Sequence, residues 1–362
     1  MNYNATIMTD VPLTNRIKSF REARNWSQAE LAERAGISRS GISAIESNRL
    51  TPSVDAALQL ARVFECAVEE LFGHFAEATP PEWAWPANHF PTRYWLGEVG
   101  GRTLAYPVEM PTAGQRLPDG VAQQPAPLDD KQEIAQRTLV IATCDPAAQF
   151  LVNLYERQSP FRLLILSRSS GESLALLAQG LVHAAGVHLS RVNESPGNAA
   201  LVRDRLPAES WQLLRAAQWE EGLAVASDSA VRTLREATKS SLRWIGRLPG
   251  AGARRCQDEL RGDSRLPQRT ARDHRAVAEA IVNEWAEAGI CLRLASEEAQ
   301  LRFFSICEDQ YDLCYSHRQA ADPRIVALVK TIRSAEYRSL VNSLPGYRAA
   351  DAGEVEVIRS GS

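Results

Sequence analysis

No stretch of this 362-residue chain approaches the roughly eighteen apolar residues of a membrane-spanning helix, and its opening MNYNATIMTDVPLTNR lacks the basic-then-apolar order of a secretory leader. A cytoplasmic protein is expected. Its six cysteines, at positions 66, 144, 256, 291, 307 and 314, include no Cys-x-x-Cys pair, so neither a zinc site nor a disulfide framework is indicated and they read as reduced, mostly buried thiols. No metal is expected on that ground. There is no Gly-x-Ser-x-Gly elbow, no Walker loop, no His-Glu-x-x-His and no Ser-Lys pair placed for self-cleavage, which points to a non-enzyme without a cofactor. Net charge is nearly balanced at −3, with 44% hydrophobic residues. That is a globular composition with room for two or three domains.

The region Leu13 to Phe72 carries the densest local signals. Leu13, Ile17 and Phe20 share one face of a first helix, and Ser27-Gln28-Ala29-Glu30 has the form of a capping box that opens a second, burying Leu31, Ala32 and Ala35. Gly36 ends it. Ser38 caps a short third helix whose Ile42 and Ile45 face inward, leaving Arg39, Ser40, Ser43 and Ala44 outward. Thr51-Pro52 predicts the start of a fourth helix with Ala57, Leu60, Ala61 and Phe64 on one side, and Val68 to Phe72 closes a five-helix bundle.

Ser27-Gln28-x-Glu30-Leu31-Ala32, Ala35-Gly36-Ile37-Ser38, Ile45-Glu46-x-Asn48 and Pro52-Ser53 resemble the Xre/Cro-type helix-turn-helix family over about sixty residues. The resemblance implies double-stranded DNA as a partner. It places Gln28 and Ser38 at helix starts, with Gln28 against a phosphate, and Arg39, Ser40, Ser43 and Ala44 on the reading helix, while Asn48 and Arg49 fit the backbone. Arg39 suits guanine, Ser40 is promiscuous, and Ala44 at most touches a thymine methyl. Between Leu13 and Thr51 seven basic residues face four acidic ones. A local balance of +3 neutralises few phosphates, so a homodimer on two half-sites is expected.

From about His74 to Arg137 the texture changes, with nine of the nineteen prolines. Arg93 to Leu96 and Arg102 to Val108 flank Gly100-Gly101 as a β-hairpin, and Gln115 to Lys131 reads as exposed linker. The expected division is therefore a head at 10–74, a proline-rich connector at 75–137 with its hairpin at 93–108, and a third region at 138–350.

In that third region strand-like runs (Thr138-Ile141, Phe161-Leu166, Leu223-Ala226, Leu242-Ile245, Ile290-Leu294, Phe303-Ile306) alternate with helical ones, the last a long helix over Ile325-Leu344. Alternation argues for an α/β fold with a mainly parallel sheet, and about 210 residues divide naturally into two lobes. Ala142-Thr143-Cys144-Asp145-Pro146, Ser170-Gly171-Glu172-Ser173-Leu174, Ala185-Gly186-Val187-His188-Leu189, Gly250-Ala251-Gly252-Ala253-Arg254, His274-Arg275-Ala276-Val277-Ala278 and Leu344-Pro345-Gly346-Tyr347 resemble, in their order and spacing, the periplasmic-binding-protein-like domain of the molybdate-binding, type 2 kind. The whole is thus a multidomain chain: an all-α helix-turn-helix head, a small β connector and a two-lobed α/β domain.

Loops at the carboxyl ends of strands are where α/β sheets take ligands. Cys144 and Asp145 sit on one, Ser169, Ser170 and Gly171 open a helix whose free amides suit an anion, and Gly250, Gly252 and Arg254 form a second such cradle. Ala251 and Ala253 stand where the relatives often carry hydroxyls, which disfavours a tetrahedral oxyanion against a small organic molecule. His188 ends an apolar run and reads as a core histidine, and His183 and His188, five apart, do not share a helical face as a metal pair would. The resulting expectation is a one-component transcription regulator sensing an oxyanion or small organic effector. The alternatives are a cytoplasmic binding or delivery protein, and a regulator that uses its second domain only for assembly.

Overall fold

A computed structural model describes residues 14–73, 80–109, 116–126, 128, 131–192, 197–239, 241–262 and 267–359. Two compact units divide it, Met1–Thr79 and Pro80–Ser362.

The first unit holds the five expected helices: Ile17–Ala23 (α1), Gln28–Ala35 (α2), Arg39–Glu46 (α3), Val54–Phe64 (α4) and Val68–Leu71 (α5). Leu13 and the expected start at residue 10 lie outside the described residues. Thr14–Asn15 (β1) and Phe72–Gly73 (β2) pair antiparallel and tie its ends together. The Ser27/Glu30 capping box is formed, and Gly36 takes φ +63, the left-handed conformation that lets the chain turn sharply between α2 and α3. One start differs from expectation. Ser53, whose hydroxyl accepts from the Ala56 amide, caps α4, so Thr51-Pro52 lies before the helix. Ile17, Leu31, Ile42, Ile45, Leu60 and Phe64 form the core, each at most 2% exposed.

Under α2 and α3 lies a polar clasp. Arg21 Nε donates to Glu46 Oε1 (2.6 Å) and Gln28 Nε2 to Glu46 Oε2 (2.9 Å). Burial pushes the Glu46 carboxyl up, but hydrogen bonds from Arg21 and Gln28 outweigh it and hold it below its ordinary value. A carboxyl lowered on folding stabilises above its unfolded value of about 4.3 and loses that contribution as pH falls through the folded one. Protection factors of the α2 and α3 amides, taken against the intrinsic exchange rate at each pH, should therefore fall in acid below about pH 4. Glu46→Gln should abolish that component, and an acid response identical to wild type would refute the clasp.

In the second unit Glu82–Trp83 (β3), Thr92–Val99 (β4), Arg102–Pro107 (β5) and Gly120–Ala122 (β6) form a sheet in the order β3-β5-β4-β6. The Gly100-Gly101 turn joins β4 and β5 with φ of +59 and +78, the two left-handed residues that a two-residue hairpin loop needs. Among the described residues nothing lies within 4 Å of a Cβ built at Gly100, so backbone conformation sets the penalty there. Gly100→Val should cost about 1–2 kcal/mol and Gly100→Asn much less, read as a difference in thermal midpoint. Equal losses would contradict it.

This segment is not a separate connector. Trp95, Val99, Leu104 and Tyr106 pack into one core with Val140, Leu164 and Val187 of the following domain, and Tyr106 Oη donates to Leu181 O (2.7 Å). Nor is 115–131 simply linker, since the nearly buried Asp119 carboxylate pairs with Arg162 and Leu128 is buried; Gln115 itself lies outside the described residues.

After the short helix Gln132–Gln136 (α6) come Thr138–Thr143 (β7), Ala148–Gln158 (α7), Arg162–Ser167 (β8), Ser170–Ala178 (α8), Ala184–Val187 (β9) and Gly197–Arg205 (α9). The long strand Trp211–Val225 (β10) leads to Leu234–Lys239 (α10), Trp244–Arg247 (β11), Gly252–Arg261 (α11), Arg269–Ala271 (β12), His274–Val282 (α12), Ala288–Leu292 (β13) and Arg293–Glu298 (α13). A second long strand, Arg302–Ser316 (β14), returns to Pro323–Arg333 (α14), Ala335–Ser343 (α15), Tyr347–Arg348 (β15) and Val355–Ile358 (β16). Strand order is β12-β11-β13-β10-β14-β9-β7-β8, with β15 and β16 also on β10.

The sheet is mixed rather than mainly parallel. Strands β7, β8 and β9 run parallel, as do β11, β12 and β13, but β10 and β14 pair antiparallel along their whole length and connect the two groups. The 221–225 end of β10 joins β13, while the 312–315 end of β14 joins β9. Two lobes result, joined by two crossing strands. The expected long helix at 325–344 is two helices, because Ser334 breaks the run and caps α15 through the Tyr337 amide.

Candidate functional site

On the first unit the exposed surface of α3 is the candidate nucleic-acid interface. Ser38 Oγ accepts from the Gly41 amide (3.0 Å) and so fixes the start of α3, leaving Arg39 and Ser40 exposed and Ser43 and Ala44 half-buried. The Ser40 hydroxyl lies 3.2 Å from that of Ser38. Gln28, expected against a phosphate, instead spends its amide group on Glu46. Asn48 (φ +56) accepts from Asn15, and Arg49 Nε donates to Ser47 Oγ (2.8 Å), so both brace the end of α3.

On the second unit the residues expected to cradle an anion are already engaged. Ser169 and Glu172 close a capping box, Ser170 Oγ accepts from the His188 amide (3.2 Å), and the Gly171 amide donates to Gly250 O (3.2 Å). The two loops meet each other. At Gly252 a Cβ would stand 2.5 Å from His188 O, so the glycine is there for close approach. Gly250 and Arg254, the latter paired with Asp258, line a cavity of about 510 Å³ that also touches Leu189 and Arg205.

Between the lobes the sequence-expected Cys144 and Asp145 join a buried polar cluster. Cys144 Sγ lies 2.9 Å from His188 Nε2, and the other ring nitrogen of His188 is 3.9 Å from Asp309 Oδ2. Asp145 Oδ1 accepts from Tyr347 Oη (2.7 Å), and burial raises its carboxyl above the ordinary value. Trp219 stacks on Tyr311 (4.4 Å) and meets His188 edge-on (5.1 Å). A register shift at Glu221/Gly222 interrupts β10 beside β14, where Gly222 admits the Phe304 carbonyl; Glu221 lies opposite Cys307.

Charges in this cluster are not neutralised in pairs. Burial and the nearby Asp309 hold the Glu221 carboxyl well above its usual range, and burial holds the His274 imidazole well below its own. His188 moves the other way: burial opposes its protonation, but Cys144 and Asp309 outweigh it. The Cys256 thiol is pushed up by its hydrogen bond with Cys307 and by burial. His183 lies apart in the core, where its Nδ1 accepts from the Val140 amide (3.0 Å) and burial lowers it to about 3.

No motif in the sequence alone marks Glu221, Cys256, His274, Cys307 and Asp309 as site residues. They come from two crossing strands and two helices of the far lobe, so no local spacing announces them. A signal was present in Trp219-Glu220-Glu221-Gly222-Leu223-Ala224-Val225, where an acidic pair interrupts an apolar strand.

A family model described as helix-turn-helix matches residues 17–71, and one described as PBP superfamily domain matches residues 152–333, half of the chain. An uncharacterized HTH-type transcriptional regulator of Archaeoglobus fulgidus is 40% identical over 60 residues, 17% of this chain and 84% of that protein. A second, MJ0272 of Methanocaldococcus jannaschii, is 35% identical over 60 residues, again 17% of this chain and 91% of that protein. The uncharacterized protein YvgK of Bacillus subtilis is 24% identical over 197 residues; they make up 52% of this chain and 63% of YvgK, so less than two thirds of that relative is spanned. Among the described residues, no helix is long and apolar enough to cross a membrane.

Proposed function

We propose, from the premise that the chain belongs to the HTH-type transcriptional regulators and to the PBP superfamily, that its α3 reads an operator and that its two-lobed unit senses an effector. The observation that carries this reading is the pairing in one chain of an exposed, capped helix α3 with a cleft in which buried polar groups such as Glu221 and His274 have no hydrogen-bond partner among the described residues. Arg39 and Ser40 supply the base contacts, and Ser38, Gln28 and Asn48 hold the helix that presents them. A homodimer on two half-sites one helical turn apart gives the affinity that one weakly basic head lacks.

An effector acts only if it binds the DNA-competent and DNA-incompetent arrangements with different affinity. The crossing strands β10 and β14 are where that difference arises, since lobe closure flexes them. A tetrahedral oxyanion at Ser169-Ser170-Gly171 is disfavoured, because Gly250 O already takes the Gly171 amide. Footprinting the full chain on sequences selected from a random duplex pool tests the reading. Two protected half-sites of common sequence support it, and protection no better than on bulk DNA refutes it.

A further inference from the structure

Three groups of potential metal-ligating side chains converge between the lobes: Cys144, His188 and His274; His188, Glu221 and Asp309; and Glu221, Cys256 and Cys307. Within each group the donor atoms lie within 4.8 Å of one another, and every one of these residues belongs to unit 2. His188, Glu221 and His274 are 0% exposed. Yet neither ring nitrogen of His274 and neither carboxylate oxygen of Glu221 has a hydrogen-bond partner among the described residues. Burying such atoms unpaired costs about 1–3 kcal/mol apiece, so the His274 imidazole, beside Cys144 and His188, calls for a guest that supplies a missing interaction there.

Chemistry selects the guest. An anion would face the buried Glu221 and Asp309, while Arg191 and Arg255, which line the same cavity, lie nearer the surface and pair with Glu259. An organic molecule does not fit, because that cavity, next to Cys144 and His274 and shared with His188, measures about 10 Å³, room for one water-sized occupant. A thiol with two imidazoles, backed by carboxylates, is the donor set of a first-row transition metal rather than of calcium or magnesium.

We propose that Cys144 Sγ, His188 Nε2 and a ring nitrogen of His274 bind one divalent transition-metal ion of the zinc class, with Asp309 orienting His188 through its other nitrogen. Cys144 and His188 come from the β7–β9 lobe and His274 from the start of α12 in the other, so the ion bridges the lobes. The ligating forms are the Cys144 thiolate and the neutral His188 imidazole, so binding releases to solvent whatever protons this pair holds, including the one on His188 Nε2. Metal bonds of ordinary length set a tetrahedral S···N pair about 3.5 Å apart. The 2.9 Å pair must therefore open slightly, within the reach of one side-chain rotation. This deepens the effector reading above and depends on it for regulatory meaning, not for the binding itself.

The test uses the full, tag-free, reduced chain, with Zn²⁺ in competition against a chromophoric chelator and Co²⁺ as a spectroscopic probe. One ion per chain is expected, with a thiolate-to-cobalt charge-transfer band that Cys144→Ser removes and Cys66→Ser leaves intact. Asp309→Asn should weaken Zn²⁺ binding by about 10- to 100-fold, the usual effect of losing a carboxylate behind a ligating histidine, and His274→Ala should weaken it at least as much. Far-ultraviolet circular dichroism of each metal-free variant checks that it folds, and His274→Gln serves in place of any unfolded alanine variant. No stoichiometric binding by wild type, a band that survives Cys144→Ser, or affinity unchanged in the folded His274 variant would overturn the site. Footprinting is read separately: operator protection without metal binding removes the ion and leaves the regulator, whereas metal binding without operator protection does the reverse.

Discussion

Replacing Arg39 and Ser40 together by alanine should lower the affinity of the full chain for its operator by roughly 30-fold to 10⁴-fold. The range counts about 1–3 kcal/mol for the Arg39 contact alone, once in each of two half-sites, because the lone Ser40 hydroxyl discriminates little between bases. Both side chains are exposed, so thermal stability should stay within about 0.5 kcal/mol of wild type and the loss cannot be ascribed to unfolding. Affinity for unrelated duplex should change far less. Arg49→Ala offers a contrast, since a phosphate contact there would reduce the slope of log affinity against log salt by about one and weaken all sequences alike. Operator affinity undiminished in the double variant would remove α3 as the reading element.

The second large effect concerns the crossing strands. Trp219 is 1% exposed on β10, stacked on Tyr311 and edge-on to Tyr347 and His188. Trp219→Ala removes the largest side chain in that layer and leaves a cavity where the two lobes join. A loss of about 3–5 kcal/mol is expected. For a unit of this size that lowers the thermal midpoint by roughly 6–20 °C. Trp219→Phe should recover much of it by keeping the stack on Tyr311. A drop of under a degree in Trp219→Ala would show that the aromatic layer does not hold the crossing strands.

The head was legible because its signals are local. A capping box spans four residues, a left-handed glycine marks its own turn, and core positions recur at helical spacing. Even so, two residues of error entered at α4, where Thr51-Pro52 competes with Ser53 and the Ser53 hydroxyl reaches the Ala56 amide. In the α/β unit the crossing strands hid themselves. Arg215, Gln218, Glu220 and Glu221 break the apolar pattern of β10, and only its last residues read as strand from the sequence. Ser334 divides what periodicity presents as one helix.

The cleft was half legible. Cys144 and Asp145 fall on the expected loop, but Ser169, Ser170, Gly171, Gly250 and Gly252 build the contact between loops rather than an open anion cradle. His188 reads as a core histidine because it ends an apolar run. Its neighbours Cys144 and His274 are 44 and 86 residues away and meet it only once the lobes are assembled. Spacing rules find metal ligands that share a helix or a loop. They are blind to a donor set drawn from two lobes and the strands between them.

The central claim is that the cleft governs the head. Its most direct test is the operator affinity of the full chain by fluorescence anisotropy, with metal removed by chelator and again with one equivalent of Zn²⁺. A difference of about 5- to 150-fold is expected, the usual range of coupling between two sites, and it should disappear in His274→Ala. Equal affinities with and without the ion, in protein shown to have bound it, would contradict the claim.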